Sequence, residues 1–199
     1  MYAAYVNENH PMIDALLQAA LKHGVVDSFD GYQRGEQEVM KQVFAVWNVF
    51  QNRGIKYSSI TTPSAESERV LSQHVRMIGD SFRYQQANCV DGSVLFASVF
   101  RKIGLHPLLV TIPGHCFVGF FLDDKKTKPL FIETTLLGNT DLSKAGGSLG
   151  KLSESWRVQK QHEASYQGFS HACEFGGSEF KKYQSPAVRK DIHLIDIDK

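Results

Sequence analysis

A cysteine, a histidine and a glutamate near the middle of the chain have the types and the context needed for thiol chemistry. Cys89 stands where a polar segment turns into an apolar run, at the expected first turn of a helix. Backbone N–H groups and the positive end of the helix dipole favour the thiolate there, and the thiolate is the nucleophilic form of cysteine. The competing interpretation is a small, inert core residue, because cysteines without a disulfide are often buried.

His115 and Glu133 fall on two segments that are expected to form a hairpin. His115 follows a Pro-Gly pair and opens one strand, and Glu133 stands among apolar neighbours on the next. Taken alone, each has a plain interpretation, a histidine at the rim of the core and a carboxylate in water. A carboxylate among apolar residues is costly without a partner, so a register that brings it to the imidazole would give a base and its orienting group.

The hydrophobic pattern indicates which elements would position these residues. The run 94–100 is apolar on nearly every face, which is typical of a buried central helix, and it ends at Arg101-Lys102 and Gly104. Three strands are expected after it, over 108–112, 115–122 and 129–135, and the last two flank a polar turn. The spacing therefore predicts a central helix carrying Cys89, packed on a small antiparallel sheet.

The flanking segments complete an α+β pattern in which helices come before strands. A first helix is expected from Pro11 to before Gly24, a second from Glu36 to Arg53, and a third from Pro63-Ser64 through Val75 and Ile78. The other expectations are a short strand at Ile55–Thr62, a loop at Gly138–Gly150, a helix at Leu152–Tyr166, an irregular stretch at Phe169–Tyr183 and a closing strand at Ile192–Ile197. One domain over residues 1–199 is predicted.

The residues around Cys89 resemble the nucleophile helix of the transglutaminase-like superfamily. The resemblance rests on Cys89-Val90-Asp91-Gly92 opening a helix that ends in Arg101-Lys102-Ile103-Gly104-Leu105, on His115 opening a strand, and on Glu133-Thr134 on the next strand. It covers residues 83–138. Two positions depart from the family pattern: glutamate stands where the family usually has aspartate, and Phe117 stands where it often has tryptophan.

This resemblance implies a papain-like fold and thiol-dependent acyl transfer on a peptide or protein substrate, with no cofactor. Cys89 would attack an amide carbonyl, His115 would act as general base and then acid, and Glu133 would orient the imidazole. Water as acyl acceptor makes the protein a cysteine protease or amidase, which is the favoured outcome, and an amine makes it a crosslinking enzyme. Beside the Cys89 N–H, the side-chain amide of Gln86 is a candidate for an oxyanion site.

Two other classes of function stay open at this stage. The glutamate and the phenylalanine that depart from the family pattern fit a non-catalytic binding module that keeps the fold. The pairs His115-Cys116 and His171-x-Cys173 suggest a metal- or redox-responsive domain, although no C-x-x-C or H-x-x-x-H spacing supports it. Strand alternation sends Cys116 to the face opposite His115, which favours core packing, and Asp91 is expected to stabilise the helix dipole.

The amino-acid composition excludes some classes of protein and gives no indication of others. Of 199 residues, 42% are hydrophobic and 22% charged, which excludes a disordered chain or a coiled-coil rod. The net charge of +1, from 22 basic and 21 acidic residues, gives no indication that the protein binds nucleic acid or an anionic membrane surface.

The three cysteines indicate free thiols in a reducing compartment, so a cytoplasmic location is the default. Neither a signal peptide nor an apolar span of ~18 residues is recognised, and a domain cut from a longer protein remains an alternative.

Overall fold

The protein has a mixed α+β architecture. The computed structural model describes residues 2–59, 75–139, 159–185 and 191–197. Its helices are α1 (Pro11–Lys22), α2 (Glu36–Asn52), α3 (Ile78–Tyr84), α4 (Cys89–Lys102) and α5 (Glu163–Tyr183). Its strands are β1 (Lys56–Tyr57), β2 (Gln86–Ala87), β3 (Pro107–Ile112), β4 (His115–Phe121), β5 (Pro129–Ile132) and β6 (His193–Asp196), and short 3₁₀ turns cover Tyr2–Tyr5, Thr134–Leu136 and Lys160–His162.

The main sheet has four antiparallel strands in the order β5-β4-β3-β6. The predicted hairpin is present, with Val118 opposite Ile132 across β4 and β5. The predicted closing strand is present as β6, which pairs with β3. Two further strands of two residues each, β1 and β2, form a separate parallel pair. Strand β2 ends at Ala87, two residues before Cys89.

Helix α4 is the central helix that the apolar run predicts. Every residue from Cys89 to Phe100 is buried. Phe96 is fully buried, and its ring contacts those of Trp47 and Phe50 on α2 and of Phe100 on its own helix. Burying a side chain of this size contributes about 1.5–3 kcal/mol, so α4 and α2 are held by their aromatic contacts.

The main sheet lies between two helices. On one face, Phe120 of β4 packs its ring against Phe100 of α4. On the other face, Phe131 of β5 stacks on Phe180 near the end of α5, with ring centroids 3.9 Å apart. This arrangement brings the beginning of α4, the beginning of β4 and the end of β5 together at one end of the sheet.

Three sequence-based expectations are wrong within the described residues. Val75 to Met77 are not helical, and α3 begins at Ile78. Strand β5 ends at Ile132, not at residue 135, because the Glu133 carboxylate accepts a hydrogen bond from the Thr135 N–H and turns the chain into a 3₁₀ turn. The stretch 169–183, expected to be irregular, is the larger part of α5.

Other expectations are met in part or lie outside the described residues. Within the described residues 55–59, only Lys56–Tyr57 form a strand, and within the described residues 159–166 the α-helix begins at Glu163. The start of the predicted third helix, from Pro63 to residue 74, lies outside the described part of the chain, as do most of the loop predicted at 138–150 and residues 152–158. No helix in the described ranges has the length and apolar character needed to cross a bilayer.

Candidate active site

Cys89 is the first residue of α4, and a capping box fixes this start. The Asn88 side chain accepts hydrogen bonds from the backbone N–H groups of Val90 and Asp91, at 2.9 and 2.8 Å. In return, the Asp91 carboxylate accepts a bond of 3.0 Å from the Asn88 N–H. Reciprocal capping of this kind satisfies amides that the first helical turn leaves without intrahelical partners. The amides of Val90 and Asp91 are thereby occupied, so they do not contribute to an oxyanion site.

Asp91 has a structural position, and its side chain is fully buried. One carboxylate oxygen accepts a hydrogen bond from the Arg76 N–H and the other pairs with the Arg76 guanidinium, each at 2.8 Å. A negative charge at a helix N-terminus is favourable, as the sequence suggested, and the ion pair also ties the segment before α3 to the first turn of α4.

His115 lies between the nucleophile candidate and the carboxylate. Its Nε2 is 2.6 Å from the Glu133 Oε2, and Cys89 lies near enough to the ring to be the largest cause of the raised pKa of His115. Since Glu133 occupies Nε2, Nδ1 is the ring nitrogen left for the thiol. The His115 side chain is about a quarter exposed (26%), whereas that of Glu133 is buried (1%). The structure thus brings together all three residues that the sequence singled out.

The register of the hairpin explains this contact. Continuing the pairing of Val118 with Ile132 places Glu133 opposite Phe117, so His115 is its diagonal neighbour on the same face. A diagonal pair is farther apart than a directly opposite pair, and the longer side chain of glutamate suits this distance.

The surroundings raise the pKa of His115 to about 10. The hydrogen bonds with Cys89 and then with Glu133 are the largest causes, and they outweigh the burial of the ring, which lowers the pKa. The imidazolium form is therefore favoured at neutral pH, between two groups that carry negative charge when ionised.

The other two cysteines differ from Cys89. Burial raises the pKa of Cys116 to about 12, and burial also raises the pKa of Cys173. Cys116 is buried on the face of the sheet opposite His115, beside Ser93 of α4, as strand alternation predicts. No disulfide joins the three cysteines, all of which lie in the described part of the chain. Buried, protonated thiols of this kind are poor nucleophiles.

Gln86, the candidate for an oxyanion donor, lies in β2 opposite Lys56, and its side chain is half-buried. It precedes Cys89 by three residues. Because so few residues separate them, Gln86 lies close to the start of α4. Its role in binding an oxyanion stays a prediction.

Several residues around the three were not singled out by the sequence. The Thr135 backbone and hydroxyl both donate to the Glu133 Oε1, at 3.0 and 2.7 Å, and the Glu133 N–H donates to the Ala172 carbonyl of α5 at 3.0 Å. Tyr2 lies near the thiols: burial raises its pKa, and so do the charges of Cys116 and Cys89. These contacts join segments distant in sequence, or depend on a local turn, so no spacing rule indicates them.

Close packing between α4 and the end of β5 also positions the site. A Cβ atom on Gly92 would lie 2.9 Å from the Thr134 Oγ1 and 3.1 Å from its Cβ, closer than real Cβ contacts allow. Glycine at this position therefore lets the residue after Glu133 sit directly against the first turn of α4.

The metal-responsive alternative finds no ligand set in the described residues. Within ranges 2–59, 75–139, 159–185 and 191–197, no group of three or more His, Cys, Asp or Glu side chains is arranged to hold a metal ion. His171 and Cys173 of α5 do not join His115 and Cys116 in such a group.

Comparisons with protein-family models, with curated proteins and with solved structures find no match to this chain.

Proposed function

We propose that the chain is a cysteine-dependent acyl-transfer enzyme with a papain-like, transglutaminase-like fold, and that it hydrolyses peptide or other amide bonds. One observation carries the proposal: the His115 ring lies 2.6 Å from the buried Glu133 carboxylate and near the Cys89 thiol, and both groups raise the pKa of the ring. A nucleophile, a base and an orienting carboxylate in this order form the arrangement of a catalytic triad.

The first half-reaction forms an acyl-enzyme. The Cys89 thiolate attacks the amide carbonyl carbon, a C–S bond forms, and the carbonyl oxygen becomes an oxyanion. The His115 imidazolium gives its proton to the amide nitrogen, the C–N bond breaks, and the amine leaves. Because the pKa of His115 is raised to about 10, its imidazolium is available as this acid at neutral pH.

The second half-reaction releases the acid and restores the site. Neutral His115 takes a proton from water, the hydroxide oxygen attacks the thioester carbonyl, and the C–S bond breaks to return the thiolate. The Glu133 carboxylate stabilises the imidazolium, as the carboxylate does in serine triads. A primary amine in place of water would give a new amide by the same steps.

Alkylation with iodoacetamide tests the proposal. At pH 6 an ordinary thiol with a pKa near 8.5 is less than about 1% thiolate. A neighbouring imidazolium favours a thiolate, so under the proposal we expect Cys89 to be alkylated about 10²-fold faster than in His115→Ala. Cys116 and Cys173 serve as internal controls, because they are buried as Cys89 is but burial raises the pKa of each, and mass spectrometry assigns the labelled site.

Two outcomes would contradict the proposal. Equal, slow labelling of all three cysteines would favour the binding module that retains the fold. An amide-cleaving preparation whose Cys89→Ala variant is as active as the wild type would place the chemistry elsewhere in the chain.

A further inference from the structure

The Glu133 carboxylate is held at both oxygens. Oε2 faces His115, and Oε1 accepts both hydrogen bonds that Thr135 donates, 3.0 Å from the backbone N–H and 2.7 Å from the hydroxyl. The side chain of Glu133 is buried, so water does not substitute easily for either partner. Two donors on one oxygen fix the plane of the carboxylate and leave its other oxygen aimed at the imidazole.

The backbone of Glu133 is anchored independently of its side chain. Its N–H donates to the Ala172 carbonyl of α5, and Gly176 lets the same helix lie directly against the backbone of β5. The anchored backbone leaves the orientation of the carboxylate to contacts of the side chain. Of the two hydrogen bonds that Thr135 donates to Oε1, the one from its hydroxyl is the shorter.

We propose that Thr135 is a positioning residue of the site, whose hydroxyl orients the Glu133 carboxylate toward the Nε2 of His115. This inference rests on the proposed function. Thr135 acts only through Glu133, and no contact joins its side chain to the Cys89 thiol or to the His115 ring among the hydrogen bonds of the described residues.

The neighbouring threonine provides a matched control. Thr134 is buried against Gly92, and its hydroxyl has no hydrogen-bond partner within the described residues. Thr134→Val therefore removes a hydroxyl of the same type, one residue away, without removing a bond to Glu133. Thr135→Ser, in contrast, keeps the hydroxyl and removes only a methyl group.

The test measures the pKa of His115 by NMR on protein with ¹³C-labelled histidine, assigned with a His115→Gln variant. The titratable groups that face or neighbour the ring are Cys89 on α4, Glu133 after β5, Cys116 on β4 and Tyr2 in the first 3₁₀ turn. None of these is changed in the threonine variants, so a shift reports the orientation of the carboxylate.

We expect Thr135→Val to lower the pKa of His115 by about one unit, because a misaligned carboxylate stabilises the imidazolium less. Thr135→Ser and Thr134→Val should keep the wild-type value. An unshifted Thr135→Val, or a Thr135→Ser shifted as far as Thr135→Val, overturns the inference.

A readout on the unaltered protein covers the case in which Thr135→Val does not fold. A hydroxyl proton bonded to a buried carboxylate exchanges slowly with water, so the Thr135 hydroxyl should give a resolved, exchange-protected resonance. Its absence overturns the positioning role. The two proposals fail separately, because slow, uniform alkylation of the wild-type cysteines contradicts the proposed function, whereas fast Cys89 alkylation with an unshifted Thr135→Val contradicts only the role of Thr135.

Discussion

At the scale of single residues, the arrangement at the candidate site depends on the contact between Glu133 and His115. Glu133 reaches His115 along a diagonal of the hairpin, and its extra methylene bridges that distance. Residue type and spacing were enough to single out Cys89, His115 and Glu133. The contacts that hold Glu133 were not predictable, because the Thr135 bonds exist only once β5 has ended in a 3₁₀ turn.

Replacing Glu133 by glutamine should lower the fraction of Cys89 that is present as thiolate. Both Thr135 donors would hold the amide oxygen, so the amide NH₂ group would face the His115 Nε2 and require it to accept. That contact favours the neutral ring, and we expect alkylation of Cys89 at pH 6 to slow by about tenfold or more. Glu133→Asp keeps the negative charge on a side chain that is shorter by one methylene group. The alkylation rate of its Cys89 at pH 6 should fall between those of the wild type and Glu133→Gln.

The pH dependence of the alkylation rate, followed by mass spectrometry, measures this order. Labelling of Cys116 in the same samples reports any general loosening of the fold, since that thiol is buried. A Glu133→Gln profile that overlays the wild type would mean that the carboxylate has no part in ionising the thiol.

At the scale of elements, the sequence predicted helix α4, which begins at Cys89, and missed most of helix α5, which contacts the backbone of Glu133. An unbroken apolar run marks α4, because a helix buried on all faces needs no polar stripe. Helix α5 contains the pair Gly176-Gly177, and glycine disfavours a helix by about 1 kcal/mol relative to alanine. The reason for Gly176 is a contact with β5, which lies more than forty residues earlier and leaves no local signal.

The two adjacent glycines should respond in opposite directions to alanine. On Gly176 a Cβ atom would lie 2.9 Å from the Phe131 carbonyl carbon and 3.0 Å from the Ile132 nitrogen, and backbone atoms cannot move aside cheaply. We expect Gly176→Ala to lower the free energy of unfolding by about 1–3 kcal/mol. On Gly177 a Cβ atom meets nothing within 4 Å, so Gly177→Ala should raise it by about 0.5–1 kcal/mol.

Urea unfolding followed by circular dichroism measures both variants. The adjacent positions share one helix and one substitution, so the general effect of alanine on helix stability cancels in the comparison. Equal stabilisation by the two alanines would show that α5 does not press against β5.

At the scale of the whole molecule, the site lies where three elements from the middle of the chain meet. The beginnings of α4 and β4 and the end of β5 converge at one end of the sheet, and α5, from nearer the C-terminus, closes over β5. The order of elements and the antiparallel hairpin were predictable from hydrophobic periodicity and a polar turn. The face of the main sheet that α5 covers was not predictable, since periodicity within one helix does not specify which element it packs against.

The proton on His115 couples this arrangement to the stability of the whole fold. In the unfolded chain a histidine titrates near pH 6.5, whereas in the folded protein the pKa of His115 is raised to about 10. Between these values the folded state holds a proton that the unfolded chain has lost. The contribution of His115 is therefore fully present below about pH 6.5 and is lost as the pH rises through about 10.

We accordingly expect the free energy of unfolding of the wild type, minus that of His115→Gln, to decrease steadily from pH 6.5 to 10. Urea unfolding in the presence of a thiol reductant, repeated at half-unit steps of pH, measures this difference. Because Glu133 is one of the causes of the raised pKa, the same difference taken in a Glu133→Gln background should have a smaller slope. A difference that is flat in both backgrounds, or that increases with pH, would mean that folding does not stabilise the imidazolium, and the triad arrangement would lose its electrostatic basis.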